Sequence, residues 1–241
     1  MITSFLYFPL IQGLNPGNLC VLVLLNFVHV GVLYALASRF QQQARGEWFR
    51  GGMVGLNAGL NGLLIEAILR QWVPAVGLSL LVALGASLYV SRSSLYHRFI
   101  GWANWLLPMS WLINALGLIF VGINLALAPL GYCSERFRAL RVYLRFEPHT
   151  CTFIMTGGAI RALPAFKGFN MGNFVFLKPG SEYLLRHEIG HLLSLAAMGA
   201  AFHLIGGIDE SLIQLRYWEA YAEYLADSYN QPTRSVLSMW R

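Results

Sequence analysis

From Trp105 to Tyr132 the chain carries no charged side chain: WLLPMSWLINALGLIFVGINLALAPLGY. A helix of that length with no polar face has to be enclosed by protein or by lipid. The same constraint applies to LCVLVLLNFVHVGVLYALA at 19–37 and to VPAVGLSLLVALGASLYV at 73–90, where Trp72 and Tyr89 read as interface anchors. GGMVGLNAGLNGLLIEAIL at 51–69 is ambiguous. Gly51, Gly55 and Gly59 repeat at the spacing that lets membrane helices approach closely, but Asn57, Asn61 and Glu66 weaken it as a full crossing. Pro108 is expected to separate an interfacial lead-in bearing Trp102 and Trp105 from the last span. The expectation is three or four spans.

Composition points the same way. Hydrophobic residues make up 56% of the chain and charged residues 12%, about half the charged share of a soluble domain. Of the 11 acids, only Glu47 and Glu66 precede residue 134. The predicted organisation is therefore an α-helical membrane domain over 1–133 followed by a small α+β domain over 134–241. The arginines flank apolar runs and cluster in SERFRALRVYLR at 134–145. That distribution sets membrane topology and contains no nucleic-acid motif, so the net charge of +6 implies a lipid bilayer as partner and no nucleic acid. Three spans with the N-terminus outside leave Arg136, Arg138, Arg141 and Arg145 on the inner side, which predicts a cytoplasmic C-terminal half. No basic region precedes the first apolar stretch, which argues against a cleaved signal peptide. Cys20, Cys133 and Cys151 are scattered and form no CxxC pair, which excludes a thiolate zinc site and a disulfide framework.

The polar half changes texture. RALRVYLRF reads as a short helix or strand, and CTFIMTGG and NFVFLKPG as β-rich runs. Pro179-Gly180-Ser181 stops the chain, and a helix is expected to start with Ser181 as N-cap and to end at Gly199, with a second helix from about 211. GNFVFL at 172–177 is either an edge strand able to pair with an extended peptide or an internal strand of a small sheet.

Within the first of these helices lies LLRHEIGHLLS. His187 and His191 are four apart, so their rings share one helical face and can reach one zinc ion. Glu188 points about 100° round the axis, suited to act as general base on a water activated at the ion rather than as a ligand. Gly190 leaves one side of the helix bare for another backbone to approach. A catalytic zinc usually takes a third protein ligand, and EAYAEYLAD offers carboxylates at helical spacing.

HExxH followed by ExxAD resembles the gluzincin metallopeptidases, and within them the membrane-integrated group that includes the CAAX prenyl protease and the bacterial heat-shock membrane protease. The resemblance covers about 173–228 and implies a zincin-like metallopeptidase domain. It also implies Glu223 as third zinc ligand, Asp227 bonding a metal-bound histidine, peptide-bond hydrolysis of a polypeptide substrate, and a place in a bacterial inner membrane. One departure is that those proteases usually place further spans between the two motifs, whereas this chain has only LLSLAAMGAAFHLIGGIDESLIQLRYW. Glu219 is the rival ligand, one turn earlier. Asp209 and Glu210 read as a helix-starting signal, His203 as an oxyanion donor or a packing residue, and Tyr217, Tyr221 and Tyr224 as core or further donors. Two other classes compete: a non-catalytic membrane interaction protein with a structural or vestigial zinc site, and a transporter using His29 and Glu66.

Overall fold

The computed structural model describes residues 101–163 and 166–209, together with Leu24, Phe27, Val28, Val32, residues 52–57 and 59–61, Leu64, Leu212, Ala222, Glu223, Ala226 and Asp227. The expected span at 73–90 lies outside these residues and that at 19–37 largely outside, whereas about half of 51–69 is described; the described members of both are helical. His29, Glu66, Glu210, Tyr217, Glu219, Tyr221 and Tyr224 are likewise outside the described residues.

Helix α1 runs Pro108–Cys133. Leu107 before it is extended (φ −89°, ψ 111°), as a residue preceding proline must be, and this separates α1 from the helical residues 101–106. Lead-in and long helix thus divide at Pro108, as the sequence predicts. Arg141 closes the other end, its Nε donating to the Gly131 carbonyl at 2.8 Å. A 3₁₀ turn at Glu135–Leu140 then leads into four strands. They are β1 (Val142–Glu147), β2 (Thr152–Gly157), β3 (Gly168–Met171) and β4 (Phe174–Leu177). The sheet order is β1-β2-β4-β3, with β2 and β4 parallel and the outer pairings antiparallel. Helix α2, Leu185–Ile208, follows a 3₁₀ turn at Glu182–Leu184. Ser181 precedes that turn but makes no side-chain cap, so the α-helix starts three residues later than a Ser181 N-cap implies.

The sheet is a layer between the two helices. Met155, Phe174 and Phe176 pack with Val121 of α1, while Ile154, Val175 and Leu177 on the opposite face meet Leu184, Leu185 and Ile189. All four residues of β4 are buried, the signature of a central strand covered on both faces. The segment 172–177 is therefore the internal alternative. The edge strand on that side is β3, joined to β4 by the two-residue turn Gly172-Asn173. One core is shared across residue 133: α1 belongs to the same packed unit as the sheet.

Asn173 ties that unit together. Wholly buried, it receives the Asn104 amide on Oδ1 (2.6 Å) and donates through Nδ2 to the carbonyls of Gly101 and Cys151 (both 2.9 Å). Its own backbone N–H reaches Asn114 Oδ1 on α1 at 2.7 Å. The opposite side of α1 presents Leu112, Leu116, Ile119, Ile123, Leu127 and Leu130, all exposed.

Two helices, Pro108–Cys133 and Glu182–Ile208, are long and apolar enough to cross a membrane. They differ in burial: the most apolar window of the first is 33% buried inside the protein and that of the second 67%. The second is moreover not one rod. Gly199 stands at φ 85°, ψ 172°, and the ring centroids of His191 and His203 are 6.5 Å apart. Twelve residues of straight helix would separate their Cα atoms by about 18 Å along the axis, so α2 doubles back at Gly199 and is a core helix. The sequence places the end of its first limb correctly. It misses the second limb, residues 200–208, and Asp209 continues that limb in helical conformation rather than starting a new one from a loop.

Replacing Asn173 by Ala should cost roughly 2–4 kcal/mol, because Asn104 loses its acceptor and the Gly101 and Cys151 carbonyls each lose a donor at once. Chemical unfolding of the detergent-solubilised chain, followed by tryptophan fluorescence, measures it.

Candidate metal centre

His187 and His191 project from the first limb of α2, and Glu223 and Asp227 from a second helical stretch. What lets the two backbones meet is Gly190, where any Cβ would collide with the Ala226 carbonyl. Ala226 is itself wholly buried, so the small residues of HEIGH and EYLAD are the contact on which the site is built.

Across that contact three side chains converge. Glu223 Oε2 lies 2.8 Å from His187 Nε2, and its Oε1 lies 3.2 Å from His191 Nε2. The two Nε2 atoms are 3.1 Å apart, and ligand atoms of all three residues fall within 4.8 Å of one another. Donors sharing one tetrahedral zinc at about 2.0–2.1 Å stand roughly 3.3 Å from each other. Two imidazole nitrogens facing each other so closely need a proton or a cation between them. The donor set, two imidazoles and a carboxylate, is the composition of a zinc site that keeps a fourth position open. Asp227 Oδ1 sits 2.8 Å from His187 Nδ1, the carboxylate contact that fixes a ligating ring and its tautomer.

Glu188 is buried and lines the same cleft without joining the three donors. Its Oε1 lies 2.8 Å from where a Cβ on Gly168 would stand, which puts the carboxylate against the start of edge strand β3. The cleft measures about 580 Å³, and its walls include Ile113 and Leu116 of α1, Phe169 and Met171 of β3, and Phe202 and His203 of the second limb. His203 hydrogen-bonds the backbone of Asn170 on β3; because this contact favours the protonated ring, it runs to the carbonyl. Burial, and then the neighbouring His191, push His203 down to about 4, so its ring is neutral at pH 7.

Electrostatics in the site follow from the same contacts. The hydrogen bond to Glu223 raises His187 to about 9, helped by Asp227 and opposed by partial burial. Hydrogen bonds from His187 and His191 hold Glu223 well below the usual carboxylate range.

Sequence reasoning missed the β3 contribution: Gly168, Phe169 and Asn170 all line the cleft. The Gly-Asn dipeptide between GFNM and FVFL is a hairpin signal that could have found the strand. Nothing local in the sequence marks Ile113 and Leu116 as cleft residues, since they lie far away along the chain in a uniformly apolar run.

Two outcomes are expected. Gly190→Ala should abolish high-affinity zinc binding, read by metal analysis of the purified chain, because the added methyl drives the helix bearing Glu223 away. Zinc affinity should also strengthen as pH rises from 6.5 to 8.5, by about tenfold per unit, since each metal displaces the proton that His187 holds up to about pH 9. Competition with a zinc chelator across that range measures it. Comparison with family models, curated proteins and solved structures gives no match for this chain.

Proposed function

We propose that the protein is a membrane-bound zinc metallopeptidase of the gluzincin type, hydrolysing peptide bonds of membrane or juxtamembrane polypeptides. The observation that carries this reading is the convergence of His187, His191 and Glu223, with the buried Glu188 beside them. A site built only for structure has no need of a third carboxylate, beyond Glu223 and Asp227, in its cleft.

His187, His191 and Glu223 would hold the ion, and Asp227 would keep the His187 ring in the tautomer that leaves Nε2 for the metal. Zinc, when bound there, supplies Lewis acidity that polarises a carbonyl and acidifies water. Glu188 accepts the proton of the attacking water and delivers it to the departing amine. Burial among the cleft's apolar walls keeps that carboxylate away from bulk solvent. Edge strand β3, which lines the cleft, gives an extended polypeptide a rail to lie along.

The membrane side of the proposal rests on two features. The apolar first half, which the sequence divides into three or four spans, would hold the chain in a bacterial inner membrane with the metal site on the cytoplasmic side. Leu116 belongs both to the exposed apolar stripe of α1 and to the cleft wall, as Leu204 and Ile208 do on the second limb. Apolar surface outside is thus continuous with the walls of the site.

Glu188→Gln should leave zinc stoichiometry unchanged and lower kcat by at least about a hundredfold, since a general base of this kind is worth 10²–10⁴. The assay is cleavage of a membrane-embedded reporter by the full chain in proteoliposomes, with and without chelation and zinc readdition. Unchanged cleavage by that variant, or cleavage surviving metal removal, sinks the peptidase reading. Leu116→Glu should slow the membrane-embedded reporter while sparing a short soluble peptide.

A further inference from the structure

Asn57 and Asn61, placed in an otherwise apolar helix, are almost fully buried. Asn57 Nδ2 donates to two carbonyls of α2, Ala196 at 3.1 Å and Ala197 at 3.0 Å. In an unbroken helix those carbonyls would accept from residues 200 and 201. The conformation of Gly199 turns these partners away, so Asn57 supplies the donors that the break removes. Its Oδ1 accepts from Asn61 Nδ2 at 3.0 Å and occupies the space that a Cβ on Gly199 would need. Asn61 Oδ1 in turn caps the Met109 N–H in the first turn of α1 at 2.9 Å. One buried chain of amides therefore joins three helices at the point where α2 reverses.

The reversal matters to the site. It carries Phe202 and His203 back into the cleft wall, with His203 6.5 Å from His191 and bonded to the backbone of Asn170. We propose that Asn57 is a positioning residue of the metal site. By holding α2 broken at Gly199, it folds the second limb over the cleft, and His203 acts as a strut that fixes edge strand β3 beside Glu188. The catalytic part of this inference rests on the peptidase reading; the structural part does not.

A cycle of variants in the full chain in detergent tests it. Gly199→Ala alone should destabilise strongly, since alanine must adopt φ 85° against the Asn57 amide. Asn57→Ala alone should also destabilise, by orphaning two carbonyls. The double variant should recover much of the loss, because α2 is then free to run straight. Spin labels on cysteines introduced at the exposed positions Arg186 and Ile205, in a cysteine-free background, report the geometry by dipolar coupling. A straight helix sets these positions about 28 Å apart along its axis; the parent should give a clearly shorter distance and the double variant this longer one. The straightened protein should still bind zinc stoichiometrically, while kcat for the reporter falls at least about tenfold.

A double variant as disabled as the sum of its singles overturns the proposal. So does a double variant whose label distance and kcat per bound zinc match the parent, which would make Asn57 a matter of stability alone. A parent distance already near 28 Å refutes the reversal itself. Should the parent cleave nothing, the peptidase reading fails, and the label distances still decide the role of Asn57.

Discussion

Everything at the candidate metal centre depends on one close approach, Gly190 against the backbone of Ala226. Two helices that touch through Cβ-bearing residues pack with axes 8–10 Å apart, and side chains as short as histidine and glutamate then meet only at full stretch. With no side chain on one helix and a methyl on the other, the carboxylate of Glu223 falls between the two imidazoles and Asp227 reaches the outer nitrogen of His187. The converging side chains are ordinary; their convergence is a property of the small residues between them. Each motif thus carries its chemistry at its polar positions and its geometry at Gly190 and Ala226.

Around that contact, side-chain amides do the work that ion pairs do in more polar proteins. A chain with so few charges still has to satisfy the backbone groups at helix ends, turns and breaks, and in an apolar surrounding an orphaned carbonyl is costly. Asn173 at the β3–β4 turn, Asn124 bonded to the Ala159 N–H, and the Asn57–Asn61 pair each settle such a group far away in sequence. An amide brings donor and acceptor together without charge, so it serves at depth where a lysine or glutamate would require a partner and its desolvation. Asparagines that look like blemishes in a hydrophobic run are its fastenings.

How much of this was legible in the sequence follows from the range over which each signal acts. The division at Pro108, the strands at 152–157 and 174–177, the stop at Gly199, and the shared face of His187 and His191 are encoded within a few residues and could be read. The bareness of Gly190 was readable too, because glycine inside a helix has few other uses. The choice between internal and edge placement for 172–177 was also open to decision: FVFL is apolar at consecutive positions, which a strand with one wet edge and one wet face would not be. What escaped was long-range. The second limb of α2, the strut from His203 to β3 and the α1 side of the cleft depend on packing between segments that share no local pattern, and uniform hydrophobicity hides which face of a helix meets which neighbour.

The double membership of Leu116 carries a kinetic meaning on the proposed reading. A side chain that faces acyl chains on one side and the reaction chamber on the other makes the bilayer the solvent from which substrate is drawn. Encounter would then scale with molecules per unit area of membrane, and a polypeptide too dilute to matter in the cytosol could saturate the site once it partitions into the same leaflet.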